Sequence, residues 1–349
     1  MILPCSLAIV TIALVLSSAV RVDAFAAGGF GGGSASSKKK SPKKKTSQAT
    51  KATQKTKNLL TPEGRLEHIR DRIEAADFSP LTKLIPKKHA DGQIEMDIDP
   101  NAICVIDNFL GESLLNSIRS EAISLLPKMV PSQSTRWDED TQTVVAYEKK
   151  GVLSMQIEGG SVGYAASPRL VEYIVALTSN LSTKLNRMLP DAYKLSGQEQ
   201  TNKLAVCLGD GSYYDKHIDN LGGTSDAGDR RKLTALIYLQ PPNSHDGQST
   251  FPNEKVEEDP RGGYFRAFDV PEVGDVTCIA PRGDRLVVFW SDSLVHDVSP
   301  SYAPNGDADR RFALTTWLIA DKDTGEIKET DADVTARHFD FGTSSIGKG

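Results

Sequence analysis

Apolar residues recur along this chain at two different periods, and the change comes near residue 200. Leu66, Ile69 and Ile73 follow at helical spacing behind Thr61-Pro62, a threonine cap with proline in the first turn, and predict a helix ending near Phe78-Ser79-Pro80. Leu114, Leu115, Ile118, Ala122, Leu125 and Leu126 mark a second helix, stopped at Pro127. A third is entered at Ser167-Pro168, carries Leu170, Val171, Ile174, Leu177, Leu181 and Leu185, and ends before Pro190. Between them, Ala102 to Ile106 reads as a short buried strand closed by Asp107-Asn108-Phe109-Leu110-Gly111, and the polar residues 128 to 153 read as a long loop or hairpin. From Lys203 onward the period is two. Lys203 to Leu208, Tyr213 to Ile218, Lys232 to Leu239, Arg285 to Trp290 and Arg311 to Ile319 are strand candidates separated by Gly, Asn, Asp and Pro clusters. Helices followed by strands predict an α+β fold, with helices packed on an antiparallel sheet that rolls into a sandwich or barrel.

The ends change this picture. Ile2 to Val20 is an apolar run leading to Val22-Asp23-Ala24, short for a membrane span and without a charged stop, so residues 1–24 read as a signal peptide, with an anchor as the alternative. Residues 25–57 are rich in Gly, Ser, Thr and Lys, contain no acid, and are expected to be disordered. With Phe25 at the cut, they resemble the bipartite presequence of algae with secondary plastids. The other reading is a lysine-rich linker of an ER or secreted protein, or a tail for anionic surfaces. No stable membrane span is expected after signal cleavage.

The formal charge of −5 averages unlike regions, because beyond residue 57 there are 31 basic and 45 acidic side chains. So acidic a body argues against phosphate-backbone contacts, and no nucleic-acid partner is expected. Four scattered cysteines, Cys5, Cys104, Cys207 and Cys278, form no disulfide framework or metal knuckle.

The candidate chemistry centres on Tyr214-Asp215-Lys216-His217-Ile218-Asp219-Asn220. In an extended segment His217 and Asp219 project to one face. With a distant second imidazole, His296, they would make the two-histidine, one-carboxylate set that holds non-haem iron with coordination positions open. The bland alternative is an ordinary surface hydrogen-bonded pair. His68, His89, His245 and His338 lack partners at ligand spacing and are expected to face solvent. On the last strand Arg311, Ala313, Thr315 and Trp317 share a face. A guanidinium pointing into a barrel requires an anion, and a dicarboxylate would supply it, gripped by the fork of Arg311 and the hydroxyl of Tyr238. Only strand phase separates Arg311 from Arg310, and the alternation with Trp317 favours Arg311. Tyr238 could instead be plain core, and Cys207 reads as a small buried hydrophobe.

Taken in order, Ile103 to Gly111, Tyr214 with His217 to Asn220, Thr234 to Leu239, Gly283-Asp284-Arg285-Leu286 through Phe289-Trp290-Ser291-Asp292, His296 with Val298, Pro300, Tyr302 and Ala303, and Arg311 to Trp317 resemble the iron- and 2-oxoglutarate-dependent prolyl 4-hydroxylase family. Within it they are most like the hypoxia-inducible-factor prolyl hydroxylases. The resemblance implies a double-stranded β-helix (jelly-roll, cupin-like) core with supporting N-terminal helices, in a domain over residues 84–322 with its oxygenase core at about 200–320. A helical linker at 58–83 would precede it and a tail at 323–349 follow it. It implies metal ligands His217, Asp219 and His296, 2-oxoglutarate contacts from Arg311, Tyr238, Thr315 and Trp317, a substrate-facing Arg231, and a mobile closing element at 128–153. The cofactors implied are Fe(2+), 2-oxoglutarate, O2 and L-ascorbate, and the partner a proline-containing peptide or protein that is hydroxylated with release of succinate and CO2. Departures lie at Cys207, where relatives carry a tyrosine, and in longer segments at 253–275 and 305–310. Two other readings stand beside this one: the same oxygenase chemistry on another residue or a small molecule, and a non-catalytic barrel that binds metal or peptide.

Overall fold

A computed structural model of the chain describes residues 58–88, 91–138, 141, 143–220, 230–241, 259–268 and 276–321. The signal peptide, the basic tract and the 323–349 tail lie outside these residues, as do His89, His245, His338 and parts of the 253–275 segment.

Four helices form the first layer: α1 (Pro62–Ala75), α2 (Glu112–Leu125), α3 (Gly160–Ala166) and α4 (Pro168–Asn186). Thr61 Oγ1 caps α1 by accepting from the Gly64 amide at 3.1 Å. The helix stops at Ala75, short of the expected end. There the Lys184 ammonium, from α4, donates to the carbonyls of Ile73, Glu74 and Ala76 at 2.9, 2.8 and 2.6 Å, closing the orphan acceptors and setting a cation against the negative helix end. Pro80 falls in the 3₁₀ turn that follows, Ser79–Thr82, and Pro127 in the one after α2, Leu126–Lys128. Arg65 of α1 grips Glu172 of α4 through Nε and Nη2 at 2.6 and 2.8 Å, a buried bidentate pair. No helix among the described residues is long and apolar enough to cross a membrane.

The strands are β1 (Leu84–Lys88), β2 (Ile94–Ile98), β3 (Ile103–Ile106), β4 (Val130–Asp138), β5 (Thr143–Met155), β6 (Leu195–Cys207), β7 (Asp210–His217), β8 (Arg231–Tyr238), β9 (Phe265–Phe268), β10 (Val276–Ile279), β11 (Leu286–Trp290), β12 (Val295–Tyr302) and β13 (Arg311–Ala320). One antiparallel sheet runs β3-β11-β8-β13-β6-β5-β4 and a second runs β10-β9-β12-β7, beside a separate β1-β2 hairpin. Period-two alternation divides the central strands between two cores. Leu233, Ala235 and Ile237 of β8, Leu286, Val288 and Trp290 of β11, and Phe312, Leu314 and Leu318 of β13 pack with the helices. The opposite phase, including Leu236, Tyr238, Val287, Phe289 and Ala313, meets Phe265, Ala267 and Ile279 of the second sheet. Two sheets closed over a shared interior, with helices outside one of them, make the double-stranded β-helix.

Residues 128–153 form the β4-β5 hairpin, which extends the large sheet by pairing Val152 with Cys207. β12 was not visible as a strand, since it carries Pro300, and Pro lacks a ladder donor; its pairing with β7 shifts register at three points. The motifs at 103–111 and 283–286 lie far apart in sequence because they are built to clasp each other. β3 pairs with β11, and the fully buried Arg285 donates to both oxygens of Asp107 at 2.6 and 3.0 Å. Asp284 accepts from the amides of Leu110 and Gly111, both at 2.6 Å, at the entry to α2. Cys104, Cys207 and Cys278 are all free thiols. Burial pushes the Cys104 thiol up to about 12, which makes it inert at neutral pH.

Removing one partner of a buried ion pair strands the other. Asp107→Ala should therefore lower the unfolding free energy by about 3 kcal/mol, read as a shift of the urea midpoint at constant slope. Mn(II) affinity of the folded variant should not change.

Candidate metal centre

Antiparallel pairing of β12 with β7 sets His296 directly opposite His217. The imidazole centroids stand 4.3 Å apart. Asp219 is not on the strand: β7 ends at His217 and a bend carries the carboxylate in, so the expected one-face strand pair is corrected to a strand end plus a turn. The turn is pinned by the Asn220 amide on the Ser291 carbonyl and by Asn220 Nδ2 on the Arg231 carbonyl, both 2.8 Å. Asp219 Oδ1 then lies 3.6 Å from His217 Nε2 and 3.9 Å from His296 Nε2. One donor atom from each of the three residues lies within 4.8 Å of the others.

The second ring nitrogens fix the tautomers. His217 Nδ1 contacts the Asp215 carbonyl at 2.6 Å and His296 Nδ1 the Leu294 carbonyl at 3.0 Å. A carbonyl only accepts, so both Nδ1 atoms carry a proton and both Nε2 atoms face the carboxylate. Burial, then the neighbouring His217, pulls His296 down to about 4, which keeps it neutral and able to ligate at physiological pH. Phe265 stacks on its ring at 4.9 Å and Phe289 meets it edge-on at 4.8 Å. Burial works to raise the Asp219 carboxyl, but its neighbours, His217 first and then His296 and Arg231, outweigh it and hold the group well below the usual carboxylate range.

Asp219 divides its oxygens. Oδ2 accepts from Thr234 Oγ1 at 2.8 Å and from Trp317 Nε1 at 3.0 Å, leaving Oδ1 turned to the histidines. Thr234 and Trp317 are cross-strand partners on β8 and β13, which is why both reach one atom. Ser291 Oγ meets Thr234 Oγ1 at 2.8 Å. The donor set is two imidazoles and an oriented carboxylate, and it fits a divalent first-row metal such as iron.

Arg311 is 5% exposed, pairs across the ladder with Cys207, and lies over Tyr238 with its guanidinium carbon 5.0 Å from the ring centroid. Its nearest polar contacts are loose, 3.4 Å to Tyr238 Oη and 3.6 Å to Cys207 Sγ, and Nε is buried without any partner. Among the described residues no carboxylate pairs with it. Gly263, at φ +71°, lets the chain lie against its stem, where a Cβ would come within 3.0 Å of Arg311 Cδ. Arg310 faces the other way, paired with Asp307 at 3.0 Å. A buried guanidinium with an orphaned nitrogen fits an external carboxylate.

Residues 203–319 match the family model described as the 2OG-Fe(II) oxygenase superfamily. That segment is a 2OG-Fe(II) oxygenase domain. The chain is 28% identical over 227 residues to human Egl nine homolog 1, covering 64% of this chain and 45% of that protein. It is 25% identical over 248 residues to the Hypoxia-inducible factor prolyl hydroxylase of Caenorhabditis elegans, covering 69% of this chain and 30% of that protein. The chain thus spans about half or less of the curated relatives it matches. A solved prolyl hydroxylase from Trichoplax adhaerens, in complex with a hypoxia inducible factor peptide fragment, aligns at TM-score 0.44 and 23% identity, over 78% of this chain and 96% of that one.

Within the oxygenase domain, the structure alters several expected parts. Trp317, read as lining the co-substrate pocket, donates its indole N–H to Asp219 Oδ2 at 3.0 Å. Arg231, read as facing substrate, donates through Nη2 to the Asp219 carbonyl at 2.6 Å and lies 5.0 Å over the Trp317 ring, so it braces the Asp219 bend. Thr315 sits half-buried between Leu236 and Lys203. His68 is half-buried and donates to the Leu110 carbonyl at 2.6 Å, so it does not simply face solvent. A cleft of about 540 Å³ opens beside Trp317, bounded by Val130 and Pro131 of β4, Met155 of β5, and Asn202 and Lys203 of β6. Sequence reasoning gave Ser291 no role of its own, because nothing local signals that its hydroxyl meets Thr234 across the sheet.

The carboxylate can ligate well only while its far oxygen is held. Thr234→Val with Trp317→Phe should weaken Mn(II) binding about ten- to a hundred-fold by titration calorimetry, while His296→Ala and Asp219→Ala should leave no measurable binding. Unchanged affinity in the double variant would remove the support role.

Proposed function

We propose that this chain is an Fe(II)- and 2-oxoglutarate-dependent dioxygenase that hydroxylates a prolyl residue in a peptide or protein, releasing succinate and CO2. One observation carries the reading: an oriented His-Asp-His set and an unpaired buried guanidinium are tied to one strand face. Thr234 on β8 bonds the metal-ligating Asp219, and Tyr238, four residues on, meets Arg311. About 13 Å of strand separates those two residues, room for a short dicarboxylate between a metal and the guanidinium.

Bound by His217, Asp219 and His296, ferrous iron would supply dioxygen activation coupled to oxidative decarboxylation of 2-oxoglutarate. Neutral His296 and the ionised Asp219 offer lone pairs without first losing protons. Arg311 takes the distal carboxylate in its fork, and the Tyr238 hydroxyl donates to the same group. Phe265 and Phe289 dry the protein side of the centre, which strengthens each of these charge contacts. The cleft beside Trp317 is assigned to the proline-bearing segment, with Arg231 stacked on the Trp317 ring that lines it, and L-ascorbate to keeping the iron ferrous. The name of the nematode relative, a prolyl hydroxylase, supports proline over other targets.

With iron, ascorbate and 2-oxoglutarate the protein should release succinate, and a proline peptide should gain the mass of one oxygen atom on proline by tandem mass spectrometry. No succinate would end the oxygenase reading; oxygen on another residue would keep the chemistry and end the prolyl assignment. Arg311→Ala should raise the KM for 2-oxoglutarate on the order of a hundred-fold, and an unchanged KM would contradict its role. We also propose that residues 1–24 lead the chain into the secretory route. A fluorescent fusion of residues 1–60 should collect in the plastid or in the ER lumen, and cytosolic fluorescence would refute this.

A further inference from the structure

Gln240 takes no part in the site described so far. It is 3% exposed, and among the described residues neither Oε1 nor Nε2 of its carboxamide has a hydrogen-bond partner. Arg311 Nε is orphaned in the same way. Buried polar atoms are nearly always satisfied, by protein or by ordered water.

The sheet brings these atoms together. β8 and β13 pair Tyr238 with Ala313, and the Leu239 amide donates to the Phe312 carbonyl at 3.0 Å, which carries the antiparallel ladder past the last residue of β8. In that register the next residues to face each other are Gln240 and Arg311. Each stands two positions from Tyr238 or Ala313, which pack on the barrel side. Opposed side chains start about 5 Å apart at Cβ. Both residues line one cavity of about 10 Å³, which admits a single water molecule and nothing larger. Ser301 lines it too: its hydroxyl and Arg311 Cδ stand 3.1 and 3.0 Å from the point where a Cβ on Gly263 would lie. Thr234 marks the metal end of β8 and Gln240 lies beyond Tyr238, so the cavity is on the side of Arg311 away from Asp219.

Other charged groups on the cavity wall are already engaged. Arg261 donates through Nε and Nη2 to Asp259, both at 2.9 Å, and Asp309 Oδ2 accepts from the backbone and side-chain amides of Asn305 at 2.9 and 2.8 Å. What fits between Gln240 and Arg311 is a small neutral body that both accepts and donates.

Building on the oxygenase reading, we propose that one buried water accepts from Arg311 Nε and donates to Gln240 Oε1, with the Ser301 hydroxyl as its third partner. Gln240 is thereby a positioning residue. It holds the guanidinium from behind and leaves the two Nη atoms to the far carboxylate of the co-substrate.

Two measurements on the Mn(II)-loaded full chain test this. In crystals of the unaltered protein, density for one water within hydrogen-bond reach of Arg311 Nε and Gln240 Oε1 is expected; direct contact between the two side chains, or no water there, overturns the bridge. By calorimetry, Gln240→Leu, close in volume but without the amide, should weaken 2-oxoglutarate about ten-fold. In an Arg311→Met background the same substitution should cost nothing further, since a residue that acts through Arg311 then has nothing to hold. Gln240→Met is the second variant, and retained Mn(II) affinity shows for either that the triad has formed. Unchanged binding in the single variants, or equal losses in both backgrounds, overturns the positioning role and leaves the oxygenase reading intact. Absence of Mn(II)-dependent 2-oxoglutarate binding to the unaltered protein overturns both.

Discussion

The cross-strand match of His296 with His217 is the constraint from which the site follows. An antiparallel pair fixes which residues lie opposite, and a slip of one position would turn an imidazole out of the cavity. β12 holds this match between β7 on one side and β9 on the other, where His296 faces Ala267. The small side chain at Ala267 and the aromatic walls at Phe265 and Phe289 leave the ring one place to go. Asp219 then completes the set from a bend, and its bend is held by backbone contacts that belong to other strands.

The two cores explain why a site this polar can sit inside a folded domain. Each central strand gives alternate residues to the helix layer and to the barrel, so the helix side is apolar and closed while the barrel side is free to carry Thr234, Tyr238, Arg311 and Trp317. The clasp of Asp107 with Arg285 and of Asp284 with the start of α2 ties these layers together at one corner. Motifs that look like signatures of chemistry in the sequence are here partly signatures of assembly.

Much of this was legible before any coordinates. The three helices, six of the strands and the split between helical and alternating halves come directly from apolar patterning, and the choice of Arg311 over Arg310 follows from strand phase alone. What stayed hidden depends on long-range pairing. β12 carries polar residues and a proline, so nothing local marks it as a strand. The place of Asp219 beyond the end of β7, the indole of Trp317 turned to Asp219, and the burial of Lys149 are set by partners on other strands, up to 98 residues away, which local periodicity does not report.

The free thiols bear on where the protein can work. Cys104 and Cys207 are shut inside the packed layers and Cys278 lies on the short β10, so no described strand or helix is held by a covalent crosslink. Cohesion comes from packing, ladders and ion pairs, whose strength does not depend on glutathione or on an oxidising folding machinery. The same packed structure is therefore equally sustainable in a reducing and in an oxidising compartment.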